Sequence, residues 1–234
     1  MRIPIALAFD DRIMTDAKVA LSSLLRSRND TTFYDIHVLC SAHSLSESNR
    51  VTVQKYANAN KHCALRFHDL GDSFAGAFEI RGISIPTYYR LLLSSLLPEC
   101  KSVLYLDVDV VVTTDLESLY STDLSNSLLA GVKGVYQNQD AKYLNEIGVA
   151  PGEYINAGVL LMNLEQMREE DLQPRFIDLA RCNYVFQDQD VLNIACKGRI
   201  RYLDPRFNLH TKFDYMANMA VSYTHLTLPT NREV

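Results

Sequence analysis

Apolar and polar positions alternate along the chain in two distinct rhythms, short apolar runs and longer stretches with helical spacing. Ile3–Phe9 is an apolar run closed by Asp10 and Asp11, which predicts a first strand. Asp16–Arg26 carries Val19, Ala20, Leu24 and Leu25 at helical spacing, with Thr15 placed as N-cap. Tyr34–Cys40 alternates, with Ile36, Val38 and Cys40 on one face of a strand. Ser46–Ala59 reads as a helix capped by Ser46 and packing through Val53, Tyr56 and Ala57, and Leu65 and Phe67 mark another strand. Pro86 suits the first turn of a helix and Pro98 ends it, with Tyr89, Leu92, Leu93, Leu96 and Leu97 on its apolar face. Val103–Leu106 and Ile155–Met162 are apolar throughout, as strands covered on both faces should be. Phe176–Ala180 and Val191–Cys196 read as helices, the second stopped by Gly198.

Alternating strands and helices with continuously apolar strands predict an α/β fold, a mostly parallel sheet with helices on both faces. In such sheets ligands bind beyond the carboxyl ends of strands. Acids that follow apolar strands are therefore the residues to examine. No repeat, linker or low-complexity stretch divides the 234 residues, so one domain is the simplest organisation.

The sharpest feature is Leu104-Tyr105-Leu106-Asp107-Val108-Asp109-Val110-Val111-Val112. If the chain stays extended, Asp107 and Asp109 point to the same side. Two neighbouring carboxylates repel, and a divalent cation relieves the repulsion. Hard oxygen ligands of this kind suit Mg²⁺ or Mn²⁺. The bland alternative is that both aspartates end a strand and cap the next turn.

Phe186-Gln187-Asp188-Gln189-Asp190 precedes a helix, where Asp188 could serve as N-cap and Asp190 as a favourable first-turn acid. In Asn156-Ala157-Gly158-Val159 the small residues would let a ligand approach the backbone, although a strand glycine often marks only a bulge.

Six stretches in order resemble glycosyltransferase family 8, retaining transferases that include lipopolysaccharide galactosyl- and glucosyltransferases. They are Ala8–Asp11, Ser84–Leu91, Val103–Asp109, Tyr154–Asn163, Gln187–Asn193 and Phe213–Asn218. The resemblance implies a Rossmann-like glycosyltransferase-A fold over residues 1–219. It implies a UDP-hexose donor with Mn²⁺ (or Mg²⁺), held through the metal-binding D-x-D of Asp107 and Asp109. By the same resemblance Ala8, Asp10, Arg90, Asp107, Val108, Asn156 and Ala157 line the donor. Asp188 contacts the donor sugar, Gln189 lies beneath the anomeric carbon, and Asp190 is the reserve nucleophile. Arg12 stands where near relatives carry Asn. An amide is a poor nucleophile, so same-face attack with Gln189 stabilising the positive anomeric carbon is expected over a covalent intermediate.

The family's third metal ligand, a histidine in an H-x-x-G-x-x-K-P-W stretch, has no counterpart, and the chain holds no Trp. His225 is not followed by the matching residues. Residues 220–234 are thus expected to be a non-native or frameshifted tail on a truncated enzyme, with the donor bound weakly.

Composition adds exclusions. A net charge of -5 gives no electrostatic reason for nucleic acid or an anionic membrane as partner. Five cysteines without a C-x-x-C pair argue for buried reduced thiols. With no leader-like start or long apolar span, the expected site is the cytoplasm, at the inner membrane face if the full-length parent attaches peripherally. The resulting expectation is transfer of galactose or glucose from a UDP-sugar to a glycan or glycolipid acceptor of lipopolysaccharide type. The rivals are a non-catalytic sugar-nucleotide-binding module and a haloacid-dehalogenase-type phosphatase, whose D-x-D normally lies near the chain start.

Overall fold

The computed structural model describes residues 1–79, 85–134, 138–209 and 227–229. Ser84, the Phe213–Asn218 stretch and His225 lie outside the described residues. The first half alternates β1 (Arg2–Ala8), α1 (Met14–Arg26), β2 (Phe33–Cys40), α2 (Glu47–Asn58) and β3 (Cys63–Asp69). A 3-10 helix over Ile85–Leu92 then runs into α3 (Leu93–Leu96), β4 (Ser102–Leu106), β5 (Val110–Val112) and α4 (Glu117–Tyr120). The rest comprises β6 (Leu129–Lys133), α5 (Asn138–Glu146), β7 (Ile155–Asn163), α6 (Leu164–Glu169), α7 (Gln173–Leu179), α8 (Gln187–Ala195), β8 (Ile200–Tyr202) and β9 (Thr227–Pro229).

Seven strands form one sheet in the order β3-β2-β1-β4-β7-β6-β8. All neighbours run parallel except β7, which is antiparallel to both β4 and β6. The mostly parallel sheet is as expected. The reversed strand is not visible in an apolar run, because burial on both faces looks the same in either direction. Its consequence is functional: the start of β7 lies at the same sheet edge as the end of β4.

Alternate side chains of β4 divide between two cores. Leu104 and Leu106 pack with β1, α1 and α2, whereas Val103 and Tyr105 pack with Tyr88–Leu97, α6, α7 and α8. Each fully buried Leu or Val contributes about 1.5–3 kcal/mol, so β4 is held firmly and fixes where Asp107 emerges.

Several local expectations change. Val19 and Tyr56 are exposed, and α1 packs instead through Met14, Ala17, Ala20, Leu21, Leu24 and Leu25. Thr15 lies inside α1 rather than capping it, because Asp10 caps a preceding 3-10 turn, Asp11–Ile13. Ser46 holds the N-cap position, but its hydroxyl bonds Asp11. The Pro86 segment is mainly 3-10, not α-helical. β2 is buried on both faces, with His37 and Leu39 as covered as Ile36 and Val38. Cys40, Cys100 and Cys196 are buried as free thiols and Cys63 partly so, but Cys182 is exposed. Of the expected tail, Thr227–Pro229 is described and pairs antiparallel with β5.

Candidate active site

The site lies at the edge where β1 and β4 end and β7 begins. Asp107 and Asp109 do not lie in extended chain as expected. β4 stops at Leu106, and Asp107–Asp109 form a turn leading into β5. They remain close enough to interact. Asp109 is exposed at the surface, yet the protein crowded around it, and then the Asp107 charge, push its carboxyl up to about 7. Asp107 is anchored by its backbone N–H, which donates to the Gly158 carbonyl at 2.8 Å across the β4–β7 edge. Val108 between them is buried in the core, so only its backbone can serve a ligand. The same is true of Ala8, at the end of β1.

Arg90 is the hub. Its side chain is almost fully buried and every polar end is used. Nη2 donates to Asp107 Oδ1 at 2.8 Å and to Thr87 Oγ1 at 3.0 Å, and Nη1 donates to the Ala157 carbonyl. The guanidinium lies 3.9 Å above the centre of the Tyr105 ring. Nε sits 2.9 Å from Asp188 Oδ2, but its hydrogen points to the Thr87 carbonyl. That contact is therefore an ion pair without a hydrogen bond, and among the described residues Asp188 Oδ2 has no donor. Burial works against the guanidinium charge, but Asp107 and Asp188 outweigh it and hold the Arg90 pKa above its ordinary value. Arg90 is thus a buried clamp between two acids rather than a side chain reaching outward.

Asp188 does not cap α8. The cap position is Phe186, and Asp188 turns toward the 3-10 helix, accepting from Thr87 Oγ1. Burial pushes its carboxyl up to about 6, with Arg90 and Thr87 pulling the other way. Gln189 is half-buried, its Oε1 accepting from the Ala157 N–H at 2.9 Å and its Nε2 meeting the Tyr154 hydroxyl. Asp190 is fully buried and accepts from the Tyr143 and Tyr154 hydroxyls and the Phe186 N–H. Both its oxygens are occupied and sealed from solvent, which counts against a nucleophilic role. Burial raises its pKa despite these donors. Asp190→Asn is expected to lower stability by about 1–3 kcal/mol, the cost of mismatching a buried acceptor, measurable by urea unfolding.

Asn156 Oδ1 accepts from the Gly158 N–H and from Asn208 Nδ2, both at 2.8 Å. Gly158 leaves room for both side chains: a Cβ there would lie 3.0 Å from Asn156 Oδ1 and 3.1 Å from Asp107 Oδ2, tight contacts that would press on each. Asp10, nearly buried, is bonded through both oxygens to Arg12, by its backbone N–H, Nε and Nη2.

The structure adds residues that the sequence did not single out. Thr87, Tyr105 and Asn208 contact Arg90, Asp107 and Asn156 directly. Asn193 brackets the Ile155 backbone, accepting from its N–H and donating to its carbonyl, where the β6–β7 register slips. Gln187 adopts φ 49° and donates to the Phe78 carbonyl at 2.7 Å. Thr87, Tyr105, Gln187 and Asn193 all lie within the six stretches without having been given a role there, and Asn208 lies outside them.

Among the described residues no three His, Cys, Asp or Glu side chains form a metal cluster. Asp107 and Asp109 still fit a divalent cation that takes its other ligands from a bound diphosphate and water. Asp107 Oδ1 is spent on Arg90 and Tyr105, and among the described residues Oδ2 has no hydrogen bond. Asp109, driven to hold its proton, would release it to a cation.

Comparison with known proteins agrees with this geometry. A putative glycosyltransferase of Haemophilus influenzae is 31% identical over 170 residues, 70% of this chain and 51% of that protein. The lipopolysaccharide 1,2-glucosyltransferase of Escherichia coli is 30% identical over 127 residues, 52% of this chain and 37% of that protein. This chain spans about half the length, or less, of curated relatives that it matches. Crystal structures of the galactosyltransferase LgtC, one with donor and acceptor sugar analogues and one of an active-site glutamine-to-glutamate mutant, superpose with TM-score 0.81. They are 35% identical to this chain and cover 95% of it and 80% of theirs. These neighbours share the glycosyltransferase-A fold. The profile of "Glycosyl transferase family 8" matches residues 4–227, nearly the whole chain, and the chain belongs to that family.

Proposed function

We propose that this chain transfers galactose or glucose from a UDP-sugar to a glycan or glycolipid acceptor with retention of configuration, using Mn²⁺ or Mg²⁺. The observation that carries this reading is the pair Asp107 and Asp109 at the β4 edge, close enough for each carboxylate to feel the other's charge, with Asp107 pinned by buried Arg90. A bound divalent cation would supply charge neutralisation for the departing diphosphate. The relatives whose names specify lipopolysaccharide glucosyl- and galactosyltransferases support hexose transfer to such an acceptor. Family membership removes the grounds for a phosphatase, which left the Asn156–Val159 and Gln187–Asp190 motifs unexplained. Among the described residues no helix is long and apolar enough to cross a membrane. We place the reaction in the cytoplasm, with any approach to its inner membrane face peripheral.

The chain's own residues divide the work. Asn156, Ala157 and Asp188 shape the sugar subsite. Asp10 and Ala8 lie at the end of β1, where the nucleoside is placed in this reading. Gln189 has its side-chain orientation fixed by Ala157 and Tyr154, so its amide can be presented in one pose toward positive charge at the anomeric carbon. The carbon–phosphate-oxygen bond breaks as the acceptor oxygen attacks the same face, and the acceptor proton passes to the departing diphosphate. The fully bonded Asp190 favours this route over a covalent one. A sugar adduct on Asp190, found by mass spectrometry of the unmodified protein, would overturn it.

The test is UDP release from UDP-galactose and UDP-glucose in Mn²⁺ and in EDTA. Cation-dependent release from one hexose is expected. Cation-dependent UDP binding without release would instead identify a sugar-nucleotide-binding module.

A further inference from the structure

Tyr105 is an unusual choice for its position. It is the penultimate residue of β4, fully buried, between leucines. A buried phenol needs a partner for its hydroxyl, and Phe would fill the same volume without that demand. The hydroxyl reaches Asp107 Oδ1 at 3.0 Å, two residues along on the same side of the chain. The ring supports the Arg90 guanidinium at 3.9 Å, and Arg90 bonds that same oxygen at 2.8 Å. Oδ1 is thus held by two donors from below, and the carboxylate cannot rotate without breaking both. Oδ2 is the oxygen left over, and it faces the space that Gly158 keeps clear.

We propose that Tyr105 is a positioning residue of the cation site, which fixes the rotation of Asp107 so that Oδ2 is aimed at the metal shared with Asp109. The proposal rests on reading Asp107 and Asp109 as the cation ligands. Groups of this kind, one bond removed from a metal, typically set affinity by about 10–100-fold when removed. A purely structural hydroxyl would cost stability and leave affinity alone. Tyr34 supplies that comparison: it is also fully buried, and its hydroxyl accepts from the Leu116 N–H at 3.2 Å, far from the site in the fold.

Mn²⁺ affinity is to be measured in the presence of UDP, by calorimetry and by loss of the free-ion paramagnetic resonance signal, for the wild-type chain, Tyr105→Phe and Tyr34→Phe. Thermal unfolding of all three is followed in parallel. The expected result is about 10-fold or greater weakening of Mn²⁺ in Tyr105→Phe, with wild-type affinity in Tyr34→Phe even if it is less stable. Equal Mn²⁺ affinity in wild type and Tyr105→Phe would overturn the proposal while leaving the cation site intact. Absence of Mn²⁺ binding by the wild-type chain would overturn the reading of Asp107 and Asp109 together with the proposal. If Tyr105→Phe fails to fold, Tyr105→Met, with a flexible apolar side chain, takes its place and is judged by the same affinity.

Discussion

Asp109→Ala is expected to reduce cation-dependent UDP release by about 100-fold or more while leaving the chain folded. The magnitude follows from losing a charged metal ligand, for which several kcal/mol of transition-state stabilisation is the usual scale. The fold should survive because Asp109 is exposed and its neighbours in the apolar run, Val108 and Val110, do the packing. The protein crowded around the Asp109 carboxyl, and then the Asp107 charge, push it up to about 7 in the folded chain against an ordinary 3.8. The folded state therefore binds more protons than the unfolded state between those values. The stability tied to this proton is fully present below about pH 4 and is lost as pH rises through about 7. Asp188, raised to about 6, adds in the same direction. In metal-free buffer this component lowers the unfolding temperature as pH increases from 5 to 8. Asp109→Asn should reduce that slope, and Mn²⁺ at pH 8 should restore the wild-type temperature and have little effect on the variant. A variant with the wild-type pH slope and Mn²⁺ response would remove Asp109 from the cation site.

The largest loss of stability is expected from Arg90→Met. Removing one partner of a buried ionic network leaves its counter-charges stranded, at a cost of about 3–5 kcal/mol. Here two acids lose their partner, Asp107 and Asp188, along with the Ala157 carbonyl and both Thr87 oxygens. For a chain of this size that corresponds to a fall in unfolding temperature of about 10 °C, read by calorimetry. Arg90→Lys should rescue little, because one ammonium cannot supply the planar set of donors that Arg90 spreads over these partners. A lysine variant of wild-type stability would show that charge alone, not the shape of the guanidinium, holds the site.

The amino-acid sequence by itself determined the layer structure and the candidate acids. Continuous apolar runs such as Val103–Leu106 can be stable only when covered on both sides, so helices on both faces of a sheet followed from composition and spacing. Asp107 and Asp109 were conspicuous for the same reason, two charges where burial is costly. Tertiary structure decided the rest, because it depends on contacts between residues far apart in the chain. The direction of β7 leaves no trace in its own apolar run, yet it sets Gly158 against Asp107. Thr87 and Asp188 meet across 101 positions, and Arg90 and the Ala157 carbonyl across 67. Arg90, which only the family resemblance placed beside the donor, became a buried clamp because Asp107, Asp188 and Tyr105 surround it. Asp190 looked like a spare carboxylate in a polar motif, and only packing against Tyr143 and Tyr154 showed both its oxygens committed. Local sequence records which groups are costly to bury; the fold decides which partners meet that cost, and those partners determine what remains open to a ligand.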